Sequence, residues 1–157
     1  MVRDIYNLYM SDLITNRKAT FNYEILERFE AGVELYGFEV KALRHKMANL
    51  TGAYVTIREG EVWLLGAHIS PYQAANTPSD YNPERDRKLL LNKKEIAKLQ
   101  RELNTAGLTI VPIKWYSSGR NLKLQIALVR GKKKADKRES IKARDTKRDL
   151  DRELKHG

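Results

Sequence analysis

Period-two alternation constrains this chain more than any other feature. Leu122, Leu124, Ile126 and Leu128 point to one side, and Lys123 and Gln125 point to the other. Ala53-Tyr54-Val55-Thr56-Ile57-Arg58 alternates in the same way, and a second run, Glu61-Val62-Trp63-Leu64-Leu65, follows after Glu59-Gly60. Such alternation marks half-buried strands, and two runs around a short Gly-containing turn mark a hairpin. Residues 108–115 and 122–129 give another hairpin across Ser117-Ser118-Gly119-Arg120-Asn121. Pro112 lies inside its first strand and cannot donate to a ladder, so an edge or a bulge is expected there.

A further strand pattern begins at Ala19, with Phe21, Tyr23 and Ile25 on one face. Leu26 and Phe29 fall out of phase with it, which a bulge or bend explains. Ala31-Gly32 reads as a turn, after which Val33-Glu34-Leu35 resumes as strand. Residues 37–47 read as a short helix with Val40, Leu43 and Met47 on its apolar face. Asn92-Lys93-Lys94-Glu95 reads as a capped helix start, because Asn92 can accept from the first-turn amides and Glu95 can reach back. Ile96, Leu99 and Leu103 form that helix's buried stripe, and Gly107 ends it. Residues 70–88, with Pro71, Pro78 and Pro83, read as a long loop. Residues 1–15 read as weakly ordered or locally helical.

The body therefore holds about six short strands with two or three helices outside. That pattern favours a mainly β fold, a small closed or partly open antiparallel β-barrel; a half-open sheet covered by helices is the alternative. With 157 residues the chain fits one domain and is long enough to bury a core. It contains no Cys, which excludes a disulfide framework, a thiolate nucleophile and a zinc finger. Its longest apolar stretches, such as Leu89-Leu90-Leu91, fall far short of the roughly 20 residues of a membrane span. The N-terminus lacks the pattern of a secretory signal, so a cytoplasmic address is expected.

Lys plus Arg is 30 against 20 Asp plus Glu, a net charge of +10. The excess is uneven: residues 1–129 net +4, and residues 130–157 net +6. After Gly131 the only large apolar residues are Ile141, Leu150 and Leu154. Burying three such side chains does not offset the ordering of 28 residues, so this tail is expected to be disordered when free. As a helix it would place Lys134, Arg138, Lys142, Arg144, Arg148 and Arg152 within an arc of roughly 160°, interrupted by Asp145 and Asp149. The expected organisation is a weakly ordered segment 1–15, a β-barrel 16–130 and a basic tail 131–157.

Enzyme signatures are poor. His45, His68 and His156 are not spaced as metal pairs, and there is no nucleophile elbow or phosphate-cradling Gly loop. Asp80, Glu84 and Asp86 could hold a divalent ion for nuclease chemistry, but carboxylates alternating with Arg85, Arg87 and Lys88 more often form an ion-pair network. No cofactor is implied. Nucleic-acid binding fits better: Asn16-Arg17-Lys18, Lys41/Arg44/Lys46 and Arg85/Arg87/Lys88 are separate basic clusters interleaved with Tyr and Trp. A general ribosome-associated or single-strand-binding module would share these features. A membrane-surface role is not expected, because the tail lacks a wide apolar face.

Five strings occur in register: Asn16-Arg17-Lys18-Ala19 before Tyr23; Phe29-Glu30-Ala31-Gly32-Val33; Gly37-Phe38-Glu39-Val40-Lys41-Ala42-Leu43-Arg44; Pro83-Glu84-Arg85-Asp86-Arg87-Lys88-Leu89-Leu90-Leu91; and Gly131-Lys132-Lys133-Lys134-Ala135-Asp136-Lys137-Arg138. Over residues 16–157 the chain closely resembles the small protein B family, the SsrA-binding (tmRNA-binding) proteins of bacteria. The resemblance implies an oligonucleotide-binding-like barrel without enzymatic activity. It also implies binding to the tRNA-like domain of tmRNA and its delivery to stalled ribosomes for trans-translation and peptide tagging. The tail would occupy the empty mRNA channel as a helix.

The implied partners are tmRNA, the small ribosomal subunit with its rRNA and, on the aminoacylated complex, elongation factor Tu; DNA is not expected. Asn16, Arg17 and Lys18 match the opening string at the tmRNA face, and Glu30, Leu91, Asn92 and Lys123 match tmRNA-binding positions. Lys41, Arg44, Arg85, Arg87 and Lys88 complete the expected RNA surface. In the tail, Asp136, Lys137 and Arg138 match the motif needed after tmRNA binding, with Lys132, Lys133 and Lys134 before it. Residues 1–15 have no usable counterpart. No aromatic follows Arg138, which leaves Ile141 or Leu150 as the apolar contact.

Overall fold

The computed structural model describes residues 10–132 and 134–156. Its strands are β1 Met10–Thr15, β2 Tyr23–Val33, β3 Ala48–Asn49, β4 Tyr54–Arg58, β5 Glu61–Leu65, β6 His68–Ile69, β7 Arg87–Leu90, β8 Leu108–Ser118 and β9 Asn121–Gly131. The helices are α1 Arg17–Asn22, α2 Gly37–Arg44, α3 Lys93–Glu102 and α4 Lys134–His156, with a 3-10 turn at Ala74–Asn76. No helix among the described residues is long and apolar enough to cross a membrane.

Six strands close into an antiparallel ring, β8–β4–β5–β7–β2–β9 and back to β8. This is the small, mainly β architecture that the alternation implies, with helices outside it. β3 and β6 form a separate pair. The β4–β5 turn uses Glu59 at φ 51° and Gly60 at φ 75°. Two positive φ values in a two-residue loop twist the hairpin with its strands, and Gly takes the second without a Cβ clash. Both expected irregularities are present: β2 slips register between Ile25 and Glu27, and β8 slips between Pro112 and Lys114.

Four local expectations change. Residues 10–15 are neither loose nor helical; they form β1, with Thr15 opposite Lys114 and Met10 opposite Ser118. The second half of β8 has a free edge there, and Leu13 and Ile14 pack against the core. Residues 17–22 are a helix, so β2 begins at Tyr23 rather than Ala19. Ala31-Gly32 is not a turn: β2 runs through it, exchanging its β9 partner at Ala31 for Leu90 of β7 at Gly32. A Cβ on Gly32 would stand 3.3 Å from the Cβ of Leu90, so Gly serves close strand approach here. Finally, α3 stops at Glu102 with Leu103 as its cap, and Gly107 leads into β8.

Phe29, Leu43, Val55, Val62, Leu64, Leu89, Leu99, Ile110, Trp115, Leu124, Ile126 and Leu128 are buried in the main core. Each large side chain of this kind contributes about 1.5–3 kcal/mol. A second, smaller cluster of Ala19, Val111, Ile113, Ala127 and Val129 lies beneath α1. Where α1 covers β8 and β9, those strands are apolar on both faces; beyond it their outward residues become polar, at Lys114, Tyr116, Lys123 and Gln125.

Candidate nucleic-acid interface

The third basic cluster has a structural role at its centre. Arg87, on β7, is fully buried, and all five of its N–H donors are used. Nε donates to Glu39 Oε2 at 2.8 Å, Nη1 donates to the carbonyls of Ala67 and Arg85, and Nη2 donates to Tyr81 Oη and the Pro83 carbonyl. Arg85 also pairs with Glu39, and its guanidinium lies 4.2 Å from the centre of the Tyr36 ring. Burial alone would raise the Glu39 carboxyl, but hydrogen bonds from Arg85 and the Tyr36 amide, with the charge of Arg87, hold it below its ordinary value. The long loop is therefore tied to α2 by an ion cluster. Arg87 has no donor left for RNA, which corrects its expected role. Lys88 remains partly exposed, 3.2 Å from Glu61. A signal for Glu39 was present: it sits four residues before Leu43, on the apolar stripe of α2.

The possible metal-binding carboxylates are dispersed. Asp86 pairs with Arg58 at 3.1 Å, and Glu84 lies 3.6 Å from His68. Asp80 lines a different cleft, with Tyr36, Phe38 and Tyr81. No group of three His, Cys, Asp or Glu placed for a metal ion occurs among the described residues.

Strand register assembles the candidate interface. Glu30 on β2 stands opposite Gln125 on β9, and Lys123, two residues along the same face, stands beside Tyr116 of β8. Diagonal neighbours on one face lie within reach of long side chains, so Glu30 and Lys123 share one polar surface. Next to it is a cleft of about 370 Å³ lined by Gly32, Val33, Leu35, Val40, Leu90, Arg120, Asn121, Leu122 and Lys123. Leu90 is 49% exposed there. Leu91 packs partly against the core, and Asn92 caps α3 by accepting from the Glu95 amide at 2.8 Å. Arg44 donates to the Arg120 carbonyl at 2.9 Å, which brings the exposed end of α2 and the β8–β9 turn together. Lys41 is exposed one turn earlier on α2. Glu30, Leu91, Asn92, Lys123, Lys41 and Arg44 thus lie around one end of the ring. Sequence reading missed Arg120, Gln125 and Tyr116; the shared outward parity of Lys123 and Gln125 was the available signal.

Asn16, Arg17 and Lys18 lie elsewhere, at the start of β2. That strand has 11 residues, so its ends stand roughly 30 Å apart at about 3.3 Å per residue. Asn16 is only 4% exposed. Its Oδ1 accepts from the Ala19 amide at 3.3 Å, and its Nδ2 donates to the carbonyls of Pro112 at 2.9 Å and Leu50 at 3.3 Å. Asn16 is a structural cap holding α1 to β8, not an exposed RNA contact. Asn16→Ala is expected to cost about 2 kcal/mol, from the lost cap and two stranded carbonyls; chemical denaturation checks this. Arg17 and Lys18 remain exposed.

The tail joins at this same end. The Lys132 amide donates to the Asn22 carbonyl at 3.0 Å. The Arg144 guanidinium lies 5.6 Å from the centre of the Phe21 ring, beside a cleft also lined by Arg17 and Arg148. Ile141 and Leu150 are exposed, as is Arg138, while Lys137 is half-buried. Lys133 and the side chains of Lys134 and Asp136 lie outside the described residues. The helical form that the composition permits is the one α4 takes.

A family model described as "SmpB protein" matches residues 13–156. An SsrA-binding protein of Trichormus variabilis is 49% identical over 141 residues, spanning 90% of this chain and 91% of its own. That of Gloeothece citriformis is 50% identical over 144 residues, spanning 91% and 93%. That of Wolbachia pipientis subsp. Culex pipiens is 49% identical over 144 residues, spanning 91% and 96%. A chain of the solved structure "tmRNA-SmpB: a journey to the center of the bacterial ribosome" matches with a TM-score of 0.66 at 38% identity, covering 83% of this chain and 95% of that one. A match over nearly the whole body and the tail, at about half identity, leaves one assignment: the chain belongs to the SmpB protein family.

Proposed function

We propose that this protein binds the tRNA-like domain of tmRNA and delivers it to stalled ribosomes for trans-translation. The observation that carries this reading is that relatives about half identical over nine tenths of the chain are SsrA-binding proteins. The geometry supports it. Lys123, Arg120, Arg44 and Lys41 surround a cleft with an exposed Leu90 at one end of the ring. Cations around a shaped apolar surface suit a folded RNA, whose phosphates they meet while the surface sets the fit.

The body and the tail divide the work. The ring recognises tmRNA. The basic tail, which gains its order on rRNA, enters the vacant mRNA channel and reports the decoding site as occupied. Elongation factor Tu accompanies the aminoacylated complex. The protein acts in the cytoplasm, by binding and without catalysing a reaction of its own.

Sequencing RNA that copurifies with the protein from cells tests this. The expected result is tmRNA enriched far above total RNA; a profile that follows total RNA refutes it and favours a general RNA-binding module. In solution, Lys123→Glu is expected to weaken binding of the tRNA-like domain at least about tenfold, or 1.4 kcal/mol. Competition with unrelated tRNA at fixed salt separates specific binding from phosphate attraction, which weakens steeply with salt.

A further inference from the structure

The tail meets the body at one small contact, far from the cleft around Leu90. The Arg144 guanidinium lies over the Phe21 ring of α1, 5.6 Å from its centre. Arg17, Thr20 and Phe21 of α1 and Arg144 and Arg148 of α4 line a cleft of about 390 Å³ there. Arg144 and Arg148 are one helical turn apart, so they are neighbours on the surface of α4. Arg17 reaches the same cleft from the body.

No carboxylate lines the cleft, and none of the three arginines makes an ion pair among the described residues. The Thr20 hydroxyl already donates to the Arg17 carbonyl at 2.8 Å, so the donors left for a ligand are the guanidiniums. A guanidinium over an aromatic ring keeps its in-plane N–H groups for an acceptor. Three like charges drawn to one cleft repel each other, and the Arg144–Phe21 contact is all that offsets this within the cleft. An anion with several acceptor oxygens turns that repulsion into charge-assisted hydrogen bonds.

We propose that this cleft binds one small phosphate compound, of which inorganic phosphate is the simplest, and that the bound phosphate clasps the tail to α1. Phosphate oxygens match the planar forks of the guanidiniums. The three arginines converge on a single cleft instead of following a track along the surface, which suits a compact anion over a nucleic-acid strand. All three are exposed, so the clasp is weak and reversible. This agrees with a tail too poor in apolar side chains to order itself: the ligand supplies what the packing lacks. A clasped tail cannot also extend into an mRNA channel, so small phosphates would compete with its insertion; that consequence alone rests on the reading above.

The full chain serves for the test. It has no Cys, so Thr146→Cys carries a single spin label on α4, between the two arginines and outside the cleft lining. Broadening of the Arg17–Asn22 amides by that label reports docking of the tail. Inorganic phosphate, added at constant ionic strength, is expected to broaden them to a plateau. Arg17→Ala and Arg148→Ala are each expected to raise the phosphate needed for half the effect about tenfold, the loss of one charge-assisted partner. Unchanged amide positions in β2 and β9 verify that these variants fold.

Broadening that follows chloride as well as phosphate is general screening and overturns the proposal. Docking that is complete without phosphate overturns it too, as does a phosphate response unaltered in both arginine variants. An oligouridylate that docks the tail where inorganic phosphate does not would make the cleft part of a nucleic-acid surface, and equally refutes the assignment. Each of these results leaves the tmRNA reading standing, since binding of the tRNA-like domain is measured separately.

Discussion

A chain ending at Lys132 is expected to bind the tRNA-like domain of tmRNA as tightly as the full chain, and to lose peptide tagging completely. The body closes before this cut. β9 runs to Gly131, with Gly131 opposite Tyr23 and Arg130 opposite both Glu24 and Leu108. The Lys132 amide adds a last bond to the Asn22 carbonyl. A cut after Val129, where the charge distribution alone would place it, would remove ladder pairs on both sides of β9. Beyond Lys132 the described side chains of α4 are mostly exposed, so little core energy goes with them. The helix has 23 residues, about 35 Å at 1.5 Å each. Residues 130–157 carry a net +6, a charge that would suit a channel walled by phosphates, where counterion release would favour binding. Binding is checked by titration with the labelled domain, and tagging by detection of the tag on a protein made from a message without a stop codon. Loss of tmRNA binding in this truncation would refute the division between body and tail.

Glu39→Ala is expected to be the most destabilising single change in the loop region. It strands two guanidiniums, one of them fully buried. Removing one partner of a buried ion pair costs about 3–5 kcal/mol, since the other charge loses its compensation. Glu39→Gln keeps the shape and part of the hydrogen bonding, so it should cost less. The pH dependence follows from the depressed carboxyl. The unfolded chain binds this proton at higher pH than the folded protein. Ionised Glu39 therefore stabilises the fold above about pH 4.5, and this contribution is lost as pH falls through the lower folded value. Thermal melts across the acid range check this: the wild-type stability should fall more steeply with acid than that of Glu39→Gln. Equal acid slopes would show that Glu39 is not the group responsible.

Legibility differed from element to element for physical reasons. The β4–β5 hairpin was plain because a two-residue Gly turn and clean alternation act over short range. The α3 start was equally plain, since Asn92 and Glu95 satisfy each other's orphan donors within one turn. α1 was hidden. Its Ala-Thr-Phe-Asn run leads into the alternation of β2, and six residues are too few for a helical period to show. What makes it a helix is Asn16, anchored to Pro112 and Leu50 far along the chain. β1 was hidden for a related reason: its pairing partner lies about a hundred residues away in β8.

The residues expected to face RNA divide in the same way. Lys123 was readable from strand parity, because a side chain opposite a buried stripe must point outward. Arg87 was misread for want of its partner, since a basic residue in a charged string looks solvated until Glu39 is placed beside it. By itself the sequence determined the strand-rich body, its two hairpins, the net positive tail and, through five strings in register, the family. Those features depend on neighbours along the chain and on total charge. Only the tertiary structure decided which cations are free, that Asn16 and Arg87 are braces, and that Glu30, Tyr116, Gln125 and Lys123 share one face. Those outcomes depend on register between strands distant in sequence, where a shift of one residue moves every side chain to the other face.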